Sequence, residues 1–236
     1  MNQSMAQRTP PEGEPRTGME INEVCIPPAG LAGTLRYPRQ ANDVIVFAHG
    51  SGSSRFSPRN RAVAEGLNAQ GFGTLLFDLL TLEEEGDRTN VFNVALLAER
   101  LIDVVQWLDR ESAAGQRQLG LFGASTGAAA ALAAAARFGG RIGAVVSRGG
   151  RPDLADKILD QVRTPTLLIV GGADYGVIEL NEQALTRLQG PKALEVIPGA
   201  THLFPEPGAL EAVIDHAAQW FARYLATRRP EAGSRS

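Results

Sequence analysis

Six short, almost wholly apolar runs punctuate this chain and constrain its fold more than any other feature. They are Asp43–Ala48 (DVIVFA), Gly73–Leu79 (GTLLFDL), Leu119–Phe122 (LGLF), Ile142–Ser147 (IGAVVS), Thr166–Val170 (TLLIV) and Leu194–Ile197 (LEVI). Each has strand length and lacks the apolar–polar alternation of a half-exposed strand, so each reads as a strand buried on both faces. Helical stretches fill the gaps. Ser57-Pro58 joins an N-cap to a proline at the first helical position and opens a helix to about Gln70. Between Phe92 and Arg110, the residues Val94, Leu97, Leu101, Val104, Val105 and Leu108 make one apolar stripe. A last helix over about Gly208–Ala226 buries Leu210, Val213, Ile214, Ala217, Phe221 and Tyr224. Strands alternating with helices in this way predict an α/β fold, a mostly parallel sheet with helices on both faces. Met19–Ile26 and Leu31–Tyr37, joined by Pro-Pro-Ala-Gly, add an opening antiparallel hairpin and bring the expected count to eight strands.

The folded body is expected over residues 19–226 as a single domain. Residues 1–18 and 227–236 are Pro-, Gly- and charge-rich and cannot offset their ordering entropy, so both read as disordered tails. No apolar run approaches a membrane span; the longest is Ala128–Ala136. The amino-terminal stretch has no apolar segment of the signal-peptide kind, which makes the cytoplasm the expected location. A net charge of −3 excludes nucleic-acid binding by bulk charge. With one cysteine, Cys25, and three histidines, neither a disulfide framework nor a metal centre is expected, and no cofactor is called for. A small molecule is the expected partner; oligomeric state is not legible.

Gly123-Ala124-Ser125-Thr126-Gly127 matches G-x-S-x-G, a weak signal alone but well placed. A buried strand runs into it and a helix of tiny residues runs out, as a strand-to-helix elbow requires: the glycines allow close approach, and the serine is held in a strained conformation that lifts its hydroxyl from the sheet. A serine hydroxyl needs a base, and the base an acid to orient it. His202, in a loop after the LEVI strand, is the candidate base; His49 ends a strand and is expected to shape that turn, and His216 lies off the apolar stripe of the last helix. Asp174, after TLLIV, is the candidate acid, with Asp153 the runner-up and Glu179 a third choice. The His49–Ser54 turn (HGSGSS) offers backbone N–H groups for one arm of an oxyanion hole, the Thr126 N–H being the other. All these pieces fall at carboxyl ends of predicted strands, the edge where open parallel sheets bind ligands.

On these motifs the chain resembles the α/β-hydrolase superfamily, in its small dienelactone-hydrolase-like branch, over about residues 19–226. The resemblance implies an eight-stranded α/β-hydrolase sheet, Ser125, Asp174 and His202 as a triad, and the Ser51 and Thr126 amides as oxyanion donors. Dienelactone hydrolases proper carry a cysteine nucleophile, whereas this motif carries serine and Cys25 lies on an early strand. The HGSGSS segment is also similar to that of bacterial relatives sometimes fused to phosphoribosyltransferase domains; no such domain is expected in this sequence.

Only Arg148–Pro165 separates the sixth strand from the seventh, room for one short helix near Asp156–Val162, so little or no cap is expected over the site. The expected activity is serine-dependent hydrolysis of small esters or lactones through an acyl-enzyme. Thioester hydrolysis, acyl transfer with the same residues, and a non-catalytic binding protein of this fold stand as alternatives. A short-chain dehydrogenase is excluded because no tyrosine is followed four residues later by lysine. Arg55, Arg148 and Arg151, with Arg59 nearby, follow strands at the same edge and are expected to hold a substrate carboxylate.

Overall fold

A computed structural model describes residues 18–39, 41–111 and 117–226. The tails expected at 1–18 and 227–236 fall outside them, Gly18 apart. The eight strands are β1 (Met19–Ile26), β2 (Leu31–Pro38), β3 (Asp43–Ala48), β4 (Gly73–Phe77), β5 (Gln118–Ala124), β6 (Ile142–Arg148), β7 (Thr166–Gly171) and β8 (Lys192–Ile197). They form one sheet in the order β1-β2-β4-β3-β5-β6-β7-β8. β2 runs antiparallel to both β1 and β4, and every other pairing is parallel. Parallel register brings Ala48 beside Gly123, Ala124 beside Arg148, and Gly171 beside Ile197, so the ends of these strands share one edge.

The helices are α1 (Pro58–Ala69), the single turns α2 (Leu82–Glu85) and α3 (Arg88–Val91), α4 (Val94–Arg110), α5 (Thr126–Phe138), α6 (Val177–Arg187) and α7 (Ala209–Ala226). They cover the sheet in two layers. On one face Val44, Val46, Leu121 and Val145 meet Leu97, Leu101 and Val105 of α4 and the alanines of α5. On the other, Ile45, Phe47, Phe122 and Val146 meet Val63 and Leu67 of α1 and Val213 and Phe221 of α7. Each such side chain, taken from water, contributes roughly 1.5–3 kcal/mol. The alternation of neighbours Val44 and Ile45, or Val145 and Val146, between two cores is what makes these runs continuously apolar.

Two expectations need correction. β8 is not buried on both faces: it ends the sheet, no further strand pairs with its outer edge among the described residues, and Val196 is exposed. The short helix expected near Asp156–Val162 is a 3-10 helix that starts earlier, Pro152–Gln161, and no cap domain rises there.

Candidate active site

Ser125 sits between β5 and α5 with φ 51° and ψ −119°, a conformation costing an L-residue about 1–3 kcal/mol. Its surroundings enforce it. A Cβ on Gly127 would lie 2.2 Å from the Ala48 carbonyl oxygen and 2.5 Å from that of His49, so helix and strand meet here with no room for a side chain. The Ser125 N–H donates to the Arg148 carbonyl at 3.2 Å, and its own carbonyl accepts from Ala128 and Arg151, each at 3.1 Å. Although it precedes α5 as the N-cap, its hydroxyl makes no capping bond, unlike Ser57, which accepts from the Asn60 N–H at the start of α1. The hydroxyl is therefore not committed to the helix.

β7 and β8 deliver the imidazole and its carboxylate. Asp174 is held in a turn, its N–H donating to Gly171 O at 3.0 Å, and its Oδ2 lies 2.7 Å from His202 Nδ1. A carboxylate only accepts, so Nδ1 carries the proton and Nε2 presents a lone pair. Gly149, at φ 51°, passes beside the ring; a Cβ there would stand 3.5 Å from His202 Cε1 and Nδ1. Ser125 and His202 thus flank the Arg148–Gly149 segment. No hydrogen bond joins the Ser125 hydroxyl to His202 among the described residues. The other acids are elsewhere engaged: Asp153 accepts both bonds of the Arg151 guanidinium, at 2.8 Å each, and Glu179 belongs to the first turn of α6. His216 is half-buried on α7.

The turn after β3 departs from expectation in one respect. The Ser51 N–H, read as a free oxyanion donor, already donates to Thr126 Oγ1 at 2.9 Å. The Thr126 N–H opens α5, where first-turn amides have no acceptor within the helix. His49 braces this turn. Its Nε2 accepts the Leu79 N–H at 3.1 Å, so Nδ1 carries the proton and donates to Gly50 O at 3.0 Å. Burial, opposed by the Gly50 bond and the nearby carboxylates of Asp78 and Glu85, leaves the His49 pKa below its usual 6.5. The unfolded chain therefore binds the proton first. The stability contributed by neutral His49 is present above about pH 6.5 and is lost as the pH falls through the folded pKa, by up to about 1.4 kcal/mol per pH unit. Urea unfolding at about pH 7.5 and pH 5.5 should show this loss in the native protein and a smaller one in His49→Gln.

A cavity of about 620 Å³ opens on this turn and reaches Thr126; Arg59, Leu79, Glu85 and Val91 help to line it. Its outer wall comes from α2 and α3, which the apolar pattern did not reveal. The signal lay in Thr81-Leu82-Glu83-Glu84, where the Thr81 hydroxyl accepts the Glu84 N–H and the Glu84 carboxylate accepts the Thr81 N–H, a capping box.

The arginines do not act together. Arg55 lies over the Phe56 ring and is ion-paired with Asp78, and Arg151 is taken by Asp153, so neither guanidinium is available as expected. Arg148 is buried, with 6% of its surface exposed, and its Nε and Nη1 have no hydrogen-bond partner. Burial, with Arg59 nearby, lowers its pKa to about 10. No cluster of three or more His, Cys, Asp or Glu able to hold a metal occurs among the described residues, and no helix among them is long and apolar enough to cross a membrane.

The strand order, the strained serine after β5 and the histidine–aspartate pair carried by β8 and β7 define an α/β-hydrolase fold. Within that class the chain belongs to the dienelactone hydrolase family, whose model matches residues 30–227. A dienelactone hydrolase from Anabaena variabilis is 51% identical, with a TM-score of 0.85 covering 88% of this chain and 99% of its own. Est1E from Butyrivibrio proteoclasticus superposes with a TM-score of 0.71 over 89% of this chain and 99% of its own, but at 17% identity it is a likeness of fold alone. Two proteins of Mycobacterium tuberculosis, strains CDC 1551 and H37Rv, provisionally named phosphoribosyl transferases, are 56% identical over 203 residues. Those residues are 86% of this chain and 46% of theirs, so the chain spans about half the length of these curated relatives.

Proposed function

We propose that this chain is a serine hydrolase of small carboxylic esters or lactones. The observation that carries the reading is the 2.7 Å bond between His202 Nδ1 and Asp174 Oδ2 beside an elbow serine whose hydroxyl caps nothing. In this mechanism Ser125 Oγ attacks the carbonyl carbon and passes its proton to His202 Nε2. Asp174 holds the tautomer that leaves Nε2 able to accept it. His202 then returns the proton to the departing alcohol, and a water activated in the same way releases the acid from Ser125. Approach of the two side chains completes the Ser125–His202 bond, which commonly tightens only on substrate binding. The tetrahedral oxyanion falls to the Thr126 N–H and to the Ser51 N–H, whose bond to Thr126 Oγ1 must be shared or given up. The phosphoribosyl transferase name of the M. tuberculosis relatives belongs to chains about twice as long, of which this chain, itself matched by the dienelactone hydrolase family, spans about half.

A fluorophosphonate probe should label the protein at Ser125, located by peptide mass spectrometry. A panel of p-nitrophenyl esters, thioesters and lactones should show turnover that the labelled protein loses. Failure to label, together with no turnover of any class, would return the fold to a binding role.

A further inference from the structure

Each residue of the segment after β6 is fixed through a backbone group. Arg148 O accepts from the Ser125 N–H, the Gly149 N–H donates to Ile169 O of β7, and the Arg151 N–H donates to Ser125 O. Gly150 gives its carbonyl to a side chain instead: Asn181 Nδ2 donates to Gly150 O at 3.0 Å. The same nitrogen donates to Val177 O, one turn back in α6, at 2.8 Å. Both partners are carbonyl oxygens, which only accept, so the amide must face them with its nitrogen. Asn181 is wholly buried, and it stands on the helix whose first amides, those of Val177 and Ile178, donate to Asp174 O. One side chain therefore ties the turn that carries the acid to the segment that holds the serine. The base rests against that segment too, since a Cβ on Gly149 would stand 3.1 Å from His202 O and 3.5 Å from its ring. Gly150 has no slack: a Cβ there would lie 2.0 Å from Ser147 Oγ and 2.9 Å from Ala128 Cβ in α5.

Packing alone does not account for an asparagine at this position. Its Oδ1 is buried with no hydrogen-bond partner, a cost that an apolar side chain would not carry. Asn68, near the end of α1, shows what a buried asparagine does when it serves the fold. It donates from Nδ2 to Phe72 O and Thr74 Oγ1 and accepts from Thr74 at Oδ1, so both ends of its amide are used. Asn181 uses only the end that reaches Gly150.

We propose that Asn181 is a positioning residue: through the Gly150 carbonyl it sets the Arg148–Arg151 segment, and with it the placement of Ser125 against His202. This deepens the serine-hydrolase reading and rests on it for the reaction. Asn181 is not among the residues lining the cavity at the elbow, so it acts on the reacting groups and not on substrate binding.

The test compares Asn181→Leu, Asn181→Ser and Asn68→Leu with the native protein, kcat being counted per fluorophosphonate-labelled site so that unfolded chains do not enter. A helical serine bonds the carbonyl four residues back, so Asn181→Ser keeps a bond to Val177 O and gives up the one to Gly150. Both Asn181 variants should lose about 10- to 100-fold in kcat, the cost of a small misplacement of reacting groups, with KM within about twofold. Asn68→Leu should unfold at lower urea but keep kcat within about twofold. A readout free of turnover is the Nδ1 proton of His202, which its bond to Asp174 moves downfield in the proton NMR spectrum and which His202→Gln removes. It should shift in both Asn181 variants and stay in place in Asn68→Leu. Asn181→Ser changes the packing least and decides where Asn181→Leu does not fold. A native protein that turns over no ester removes the hydrolase reading and leaves the His202 resonance to decide on Asn181. Native kcat in a folded Asn181 variant, an equal loss in Asn68→Leu, or an unmoved resonance would overturn the proposal.

Discussion

Ser125→Gly is expected to lose ester turnover and gain stability in a single step. The native serine is held at φ 51°, in a region that glycine enters without steric cost. Relief of about 1–3 kcal/mol of strain exceeds the extra freedom glycine brings to the unfolded chain, about 0.5–1 kcal/mol. An N-cap serine usually resists replacement because its oxygen bonds the first turn, but here that bond is not made. A net gain of about 1 kcal/mol in urea unfolding is the expected result. Ser125→Ala keeps the strained backbone and should unfold close to the native midpoint. Both variants should lose at least about a thousandfold in kcat/KM, since removing the nucleophile of related triads leaves only residual catalysis. Most of the activity surviving in either would remove Ser125 from the mechanism.

Asp174→Asn should cost nearly as much for another reason. The amide conserves the shape of the carboxylate but can donate through Nδ2 to His202 Nδ1. The ring proton then moves to Nε2, the position that must accept from serine. A comparable change in a related triad lowers kcat by about 10⁴, and a loss of that order is expected here with little change in stability. Asp153→Asn is the control. Its carboxylate serves Arg151, not an imidazole, so the variant should lose less than about tenfold. Equal losses from the two substitutions would mean that the 2.7 Å contact at Asp174 is not the one that orients the base.

The features legible in the sequence are those written into local pattern. β1 and β3 begin and end where their residues suggest, because a turn or a change of polarity bounds each run. The elbow was legible because strand, glycines and small-residue helix are consecutive. Asp174, the candidate acid, is picked out by its place after a buried strand, and it lies 2.7 Å from His202 Nδ1. Contacts between distant segments left no such trace. Nothing local says that the Ser51 amide meets a hydroxyl 75 positions away, or that Asp78 rather than a substrate takes Arg55. Charge pairing is decided by three-dimensional neighbours, so three arginines that looked alike along the chain divide into two that are satisfied and one that is not. α2 and α3 escaped because one-turn helices carry no apolar periodicity; only their capping chemistry marks them.

The segment after β6 is fastened to the elbow through its backbone, Arg148 O receiving the Ser125 N–H and Arg151 N–H reaching the Ser125 carbonyl. Lengthening the chain at that point would pull on the residue whose conformation the fold works to hold. The cavity wall that α2 and α3 supply is under no such constraint, because the one-turn helices between Leu82 and Val91 are not bonded to Ser125. Adaptation to a new substrate therefore has an asymmetric route: residues 82–91 can be exchanged, lengthened or grafted, while the stretch from Arg148 to Arg151 must be inherited as a unit with the serine it secures.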